Sequence, residues 1–252
     1  ESWQEDAFQR LTTRDPARFW TSGQWMTEKR GGSDVGAATE TVAVPQRDGT
    51  FKLHGYKWFT SATTADMSIT LARVQDHATS LEESKLPNER KPLTLFFLQV
   101  RQPDGKFNGI EVQRLKDKLG TRQLPTAELV LEGTVARQFS EQGRGIASIT
   151  PMLTVTRIWN TIGSAAAIRR ITDVARDYAT KRHAFGDKLS TLPLHLATLA
   201  ELETQARAAT LMALEVSRLL GKVEALTASK HDIELMRLLT PVAKLFTAKQ
   251  AV

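Results

Sequence analysis

The pattern of apolar and polar positions changes character once along the chain. From Thr39 the pattern is that of strands: Thr39–Val44, Phe51–Leu53 with Lys57–Ser61 continuing it, Met67–Val74, Ile110–Leu115 and Ala127–Leu131, while the nearly continuous apolar run Leu93–Val100 reads as a buried strand. Turn signals separate them. Pro45-Gln46-Arg47-Asp48-Gly49 holds the Asp-Gly pair favoured in type I′ hairpins, whose central residues both need φ > 0, and Pro103-Asp104-Gly105 is a second turn. His77–Lys91 is polar and charged, with Pro87 in its second half, and reads as an exposed loop. Many short strands at close spacing predict a barrel or sandwich.

At Gly143-Arg144-Gly145 the period becomes helical. Met152, Val155, Ile158, Trp159, Ile162, Ala166, Ile171, Val174 and Tyr178 place one apolar stripe on a long helix, and Gly163 with Ala165–Ala167 leaves room for a close neighbour. Arg182–Pro193 reads as a link, and Leu194–Leu220 as a second helix closing at Gly221. A third helix begins near His231 with Leu235, Leu238, Val242 and Leu245 on one face, and Pro241 inside it should kink it. Residues 1–18 read as the tail of a helical segment, and the last stripe reaches Val252 without a glycine cap, proline or polar tail. The expectation is an internal piece of a longer chain: 1–20 the end of a helical domain, 21–142 a barrel, 143–252 part of a helical bundle.

Composition narrows the function classes. The chain has 252 residues, 41% hydrophobic and 25% charged, ordinary values for a globular protein with room for one large or two smaller domains. No run approaches the ~20 apolar residues of a membrane span, and the opening residues do not read as a signal peptide. With no cysteine, disulfides, iron–sulfur clusters and thiol catalysis are excluded; this suits a reducing compartment, and the cytoplasm is expected, with the mitochondrial or peroxisomal matrix as the alternative. His54, His77, His183, His195 and His231 show no ligand spacing, so no metal site is expected. The formal charge is +6; residues 1–150 carry 20 Lys and Arg against 19 Asp and Glu, residues 151–252 carry 14 against 9. The excess in the helical part would attract phosphate-bearing ligands or nucleic acid, although a solvated helical face explains it as well.

Candidate chemistry is concentrated in Trp25–Val35, which reads Trp-Met-Thr-Glu-Lys-Arg-Gly-Gly-Ser-Asp-Val. Gly31-Gly32-Ser33 can aim backbone N–H groups and a hydroxyl at an anion, and Asp34 can order the turn. Alone, the segment is also what a plain glycine turn between elements looks like. Gly55-Tyr56-Lys57-Trp58-Phe59-Thr60-Ser61 then ends a strand with two aromatics and two hydroxyls, and Lys181-Arg182-His183-Ala184-Phe185-Gly186 follows the first long helix. In order and spacing these three stretches resemble the signature motifs of the acyl-CoA dehydrogenase flavoproteins. With Arg114-Leu-Lys-Asp-Lys-Leu-Gly120, they look most like the bacterial alkylation-response (AidB-like) branch.

That resemblance implies an α+β fold: a β-barrel middle domain, then part of a C-terminal helical bundle, with the N-terminal helical domain missing. It implies FAD as cofactor and α,β-dehydrogenation of an acyl-CoA or related thioester. By matched position, Gln24, Trp25, Met26 and Thr27 would lie along the flavin, Met26 and Thr27 at its pyrimidine edge. Gly32 and Ser33 would approach the pyrophosphate, and Phe59 would pack on the flavin beside Thr60 and Ser61. Arg182 and Phe185 would reach the FAD of a neighbouring subunit in a homodimer or homotetramer.

The catalytic base is not identified. One family position for the glutamate lies beyond Val252, and the other matches Thr156, whose hydroxyl stays protonated near neutral pH. Glu28, Asp34 and Asp117 sit in turn or strand-end contexts and are assigned no role. The piece itself is therefore expected to be inactive and to hold little FAD. DNA is the alternative partner, implied by the AidB-like branch and the basic helical half.

Overall fold

The computed structural model describes residues 2–32, 34–75 and 92–252. Ser33 and the loop expected over His77–Lys91 lie outside them. The described residues form two compact units, Glu1–Ile149 and Thr150–Val252.

The first unit is a closed β-barrel. Strands β1 (Ser22–Trp25), β2 (Val42–Pro45), β3 (Phe51–Thr60), β4 (Met67–Val74), β5 (Leu93–Gln99), β6 (Ile110–Leu115) and β7 (Ala127–Gln138) share one sheet. The ring runs β4-β2-β3-β7-β5 and closes where β5 pairs with β4; β1 continues β2's edge along the first half of β4, and β6 flanks β7. Trp25, Leu53, Phe96, Leu98, Leu129 and Leu131 fill the interior. Phe97 and Met67 point outward instead, onto Ala7, Trp3 and Trp20, because neighbouring strand residues face opposite sides. Trp3 belongs to helix α1 (Trp3–Thr12), capped by the Ser2 hydroxyl.

As expected, Lys57 onward continues the strand begun at Phe51, in one ten-residue strand that ends at Thr60, one residue before Ser61. One expectation changes here. The Asp48-Gly49 turn is present but is not type I′. The Gly49 amide donates to the Gln46 carbonyl and only Gly49 has positive φ (80°), so one left-handed residue suffices. The Pro103-Asp104-Gly105 turn repeats this construction, with Gly105 at φ 83°.

Beyond the short helix α2 (Val35–Ala38), three long helices follow: α3 (Gly145–Lys181), α4 (Pro193–Glu224) and α5 (Lys230–Gln250). Gly221 does not close α4, which continues to Glu224 and ends where Leu226 turns left-handed. α5 runs unbroken through Pro241, with the Thr240 hydroxyl donating to the Met236 carbonyl one turn back.

The apolar stripes expected on α3 and α5 are mostly not their buried faces. On α3 beyond Thr150 the buried positions are Ile158, Thr161, Ala165, Ile168, Thr172 and Ala179, while Trp159, Ile171, Val174 and Tyr178 are exposed. On α5, Met236, Thr240, Ala243 and Thr247 are buried, and Leu238, Val242 and Leu245 are exposed. The physical reason is the threonine. Thr161, Thr172, Thr240 and Thr247 each donate to a carbonyl one turn back, which removes the cost of burying the hydroxyl. With alanines they allow close packing: Ala165 and Ile168 meet Ala206, Ala209 and Ala213 of α4. Among the described residues no helix is long and apolar enough to cross a membrane.

Candidate functional site

Strand alternation decides what β1 offers a ligand. Gln24 is exposed, whereas Trp25 is wholly enclosed in the barrel core. Past the strand, Met26 is buried and Thr27 half-buried, and the chain turns at Glu28–Gly31 with the Gly31 amide donating to the Glu28 carbonyl at 3.1 Å. Gly32 follows, exposed and tight against Thr27: a Cβ there would lie 3.2 Å from Thr27 Cγ2. Asp34 orders the turn by accepting from the Ala37 amide as the cap of α2.

At the end of β3 a bulge re-aims the side chains. Lys57 pairs with Leu129 and Thr60 with Ala127, so Trp58 and Phe59 together oppose Glu128. Phe59 is left 46% exposed. Thr60 is buried with its hydroxyl donated to the Ala127 carbonyl at 2.8 Å, and the exposed Ser61 shares a 2.9 Å hydrogen bond with the Thr126 hydroxyl.

These two segments are neighbours. The Trp58 amide donates to the Thr27 carbonyl at 2.9 Å, and Glu28 bridges Lys57 in antiparallel register. Beneath that rung lies a buried ion pair that the sequence reading passed over. Lys57 Nζ is 2.7 Å from Glu28 Oε1, with both side chains inside the barrel, and also donates to the Leu71 carbonyl. Glu28 accepts further bonds from the Thr41 hydroxyl (2.5 Å) and the Glu40 amide (2.6 Å). Burial alone would raise the Glu28 carboxyl, but the Lys57 ammonium and these hydrogen bonds hold it below the ordinary range. Burial pulls Lys57 downward against the attraction of Glu28. The available signal was a lysine in alternation with the apolar Leu53 and therefore on the inward side of β3.

Glu128 is a second omission. It lies opposite a bulge on each side, since β6 also shifts register between Val112 and Arg114. Tyr56 Oη donates to it, and Arg114 Nε and Lys116 Nζ each approach it at 2.7 Å. Burial, which raises its carboxyl, is outweighed by these hydrogen bonds, and its pKa is held at about 2. Lys116 Nζ sits 3.2 Å from the centroid of the Trp58 ring and 4.7 Å from that of Phe59, so Glu128 anchors a cation against both aromatics.

Arg182 and Phe185 belong to the helical unit. Strands β8 (His183–Ala184) and β9 (Asp187–Lys188) form a minimal hairpin whose central residues, Phe185 (φ 55°) and Gly186 (φ 87°), are both left-handed. A left-handed phenylalanine is strained, and its ring is 96% exposed. Arg182 is exposed too, and its guanidinium has no partner among the described residues. Thr156, on α3, is exposed and donates to the Leu153 carbonyl. A cleft of about 440 Å3 between α1 and the outer face of β5, lined by Trp3, Trp20, Phe97 and Arg101, contains none of the residues singled out above.

Comparison with known proteins decides the family. Residues 23–134 match the acyl-CoA dehydrogenase middle domain, and residues 143–252 match the acyl-CoA dehydrogenase C-terminal domain. The chain belongs to the acyl-CoA dehydrogenase family. Acyl-CoA dehydrogenase family member 11 of Caenorhabditis elegans is 50% identical over 98% of this chain and 39% of its own length. The crystal structure of C. elegans ACDH-11 in complex with C11-CoA superposes with a TM-score of 0.89 at 49% identity, covering 98% of this chain and 41% of that one. The putative acyl-CoA dehydrogenase AidB of Escherichia coli is more distant, 32% identical over 90% of this chain and 38% of its own length. The chain thus spans about two fifths of these relatives. An acyl-CoA dehydrogenase from Bacillus anthracis, solved in complex with FAD, shares the fold at 19% identity and a TM-score of 0.67, over 91% of this chain and 37% of that one.

Proposed function

We propose that this acyl-CoA dehydrogenase chain supplies the barrel-side FAD platform, and part of the helical bundle, of a flavoenzyme that dehydrogenates an acyl-CoA thioester. The observation that carries the reading is the Thr27–Trp58 rung, which joins the Met26–Thr27 and Phe59–Ser61 segments into one edge. The residues fit the cofactor in kind. Phe59 offers an exposed ring, Thr27 and Ser61 offer hydroxyls, and Gly32 lies bare against Thr27, where the absent side chain leaves backbone open to a phosphate. Trp25 and Thr60 are core side chains, so their part is to fix the backbone of that edge.

FAD, when bound, supplies the acceptor for the hydride leaving the β-carbon of the thioester. The chain's own residues would bind and orient it: Met26 and Thr27 along the flavin, Gly32 at the pyrophosphate and Phe59 on the ring. No residue of this chain is assigned as the α-proton base, and residues 1–252 alone are expected to turn nothing over. The exposed Trp159, Ile171, Leu238 and Leu245 support a homo-oligomer in which Arg182 and Phe185 reach a neighbour's FAD. The C11-CoA bound by the nematode relative supports an acyl-CoA substrate. The test is steady-state turnover of the full-length protein with a panel of acyl-CoA thioesters and an electron-accepting dye. Turnover at one or more chain lengths is expected, and none at any length contradicts the reading.

A second reading, an AidB-like flavoprotein that binds or protects DNA, rests on the basic excess of residues 151–252 and the kinship with AidB. Binding that falls steeply with salt supports it, and a flat response removes it. Either activity is placed in the cytoplasm or, alternatively, the mitochondrial or peroxisomal matrix.

A further inference from the structure

We propose that the buried Glu28–Lys57 pair is the positioning element of the FAD site: it sets the spacing of the Met26–Thr27 and Phe59–Ser61 backbones, so that the two segments order as one unit. The inference rests on the FAD reading above and names the residues that make its geometry.

The pair sits where the two segments cross. Glu28 follows Thr27 directly and Lys57 precedes Trp58, so a 2.7 Å contact between their side chains lies one residue from the Thr27–Trp58 rung. The same two side chains reach the segment leading into β2 and strand β4. Glu28 accepts from Thr41 and the Glu40 amide, and Lys57 donates to the Leu71 carbonyl. A movement of either segment therefore breaks charged hydrogen bonds that involve β3, β4 and the segment leading into β2. Arg73 reinforces the same loop from β4, donating to the carbonyls of Gly36 and Thr39.

Gly55 belongs to this network. A Cβ there would lie 2.3 Å from Thr41 Oγ1 and 2.8 Å from Thr41 Cα. Only glycine lets Thr41 come close enough to β3 to hold Glu28. Glu28 in the turn after β1, Thr41 just before β2, and Gly55 and Lys57 on β3 thus serve one arrangement.

A purely structural role makes a different prediction. Buried ion pairs are commonly replaceable by uncharged residues of similar size without loss of stability. If the pair only fills the barrel, a charge-neutral double replacement leaves every property unchanged. If it positions the site, the fold survives and the coupling does not.

The experiment uses the full-length protein, its Glu28→Gln/Lys57→Met variant, and Thr41→Val, which removes one bond to Glu28 with little change of shape. Amide hydrogen exchange is followed without FAD, and FAD affinity by fluorescence titration. The double variant is expected to keep its circular dichroism, to exchange faster in both residues 26–31 and 57–60, and to bind FAD about tenfold more weakly, the loss of one charged hydrogen bond. Thr41→Val shifts both readouts in the same direction by less, and it decides the question if the double variant does not fold. Exchange unchanged, or raised in one segment only, overturns the proposal, as does unchanged FAD affinity. If the unmutated protein binds no FAD, the flavin reading fails, and exchange alone still decides whether the pair couples the two segments.

Discussion

The Trp58 amide and the Thr27 carbonyl, 2.9 Å apart, form the one rung that turns two separate motifs into a single edge. Everything proposed for the FAD site depends on that rung staying closed, and the residues beneath it, Glu28 and Lys57, are buried and charged. Buried charge is tolerated only while it is paired.

Lys57→Met alone strands the Glu28 carboxylate inside the barrel. A loss of about 3–5 kcal/mol is expected from chemical denaturation, against a much smaller loss for Glu28→Gln/Lys57→Met. Equal losses for single and double variants would show that the charge pairing is not what stabilises the site.

Gly55→Ala forces a methyl into Thr41, backbone included. Overpacking of this kind costs about 1–3 kcal/mol, and the strands must part to relieve it. A fall in thermal midpoint is expected together with weaker FAD binding. An unchanged midpoint would mean that Thr41 and β3 are not held this close.

Glu128 and Glu203 both have pKa values of about 2 in the folded chain, against an ordinary 4.5. The hydrogen bonds holding Glu203 come first from Arg169 and then from Arg207. Because the folded state binds protons less readily than the unfolded one, this stability is present above pH 4.5 and is lost as pH falls toward 2. Denaturation midpoints should drop through that window, and Glu203→Gln should flatten the drop. A pH-independent midpoint across it would contradict the assignment.

Arg182→Ala removes an exposed cation with no partner among the described residues, so stability should change by less than about 0.5 kcal/mol. FAD affinity of the oligomer should nevertheless fall if Arg182 reaches a neighbour's cofactor. Parallel calorimetry and FAD titration separate the two effects; unchanged affinity would remove Arg182 from the site.

Much of this architecture is legible in the residue pattern. The strands after Thr39 and the three helices follow from periodicity, because packing and local preference agree there. β1 is not legible: Ser22-Gly23-Gln24-Trp25 is short and polar, and only its pairing with Met67–Thr70 makes it a strand. The helical faces mislead for a definite reason. Bulky residues mark a helix as amphipathic but do not say which neighbour covers them. Here much of the contact between the chain's own helices is through alanine and self-bonded threonine, leaving Trp159, Leu238 and Leu245 outward. A site residue on a turn, such as Gly32, is readable because turn chemistry is local. Glu28 and Glu128 are not, since their roles come from partners on other strands.

The central claim is that the Met26–Ser33 and Phe59–Ser61 segments build an FAD site, and the visible absorption spectrum of the purified full-length protein tests it most directly. One flavin per chain is the predicted result. A colourless protein that added FAD cannot reconstitute would contradict it, and the paired segments would then be barrel scaffold alone.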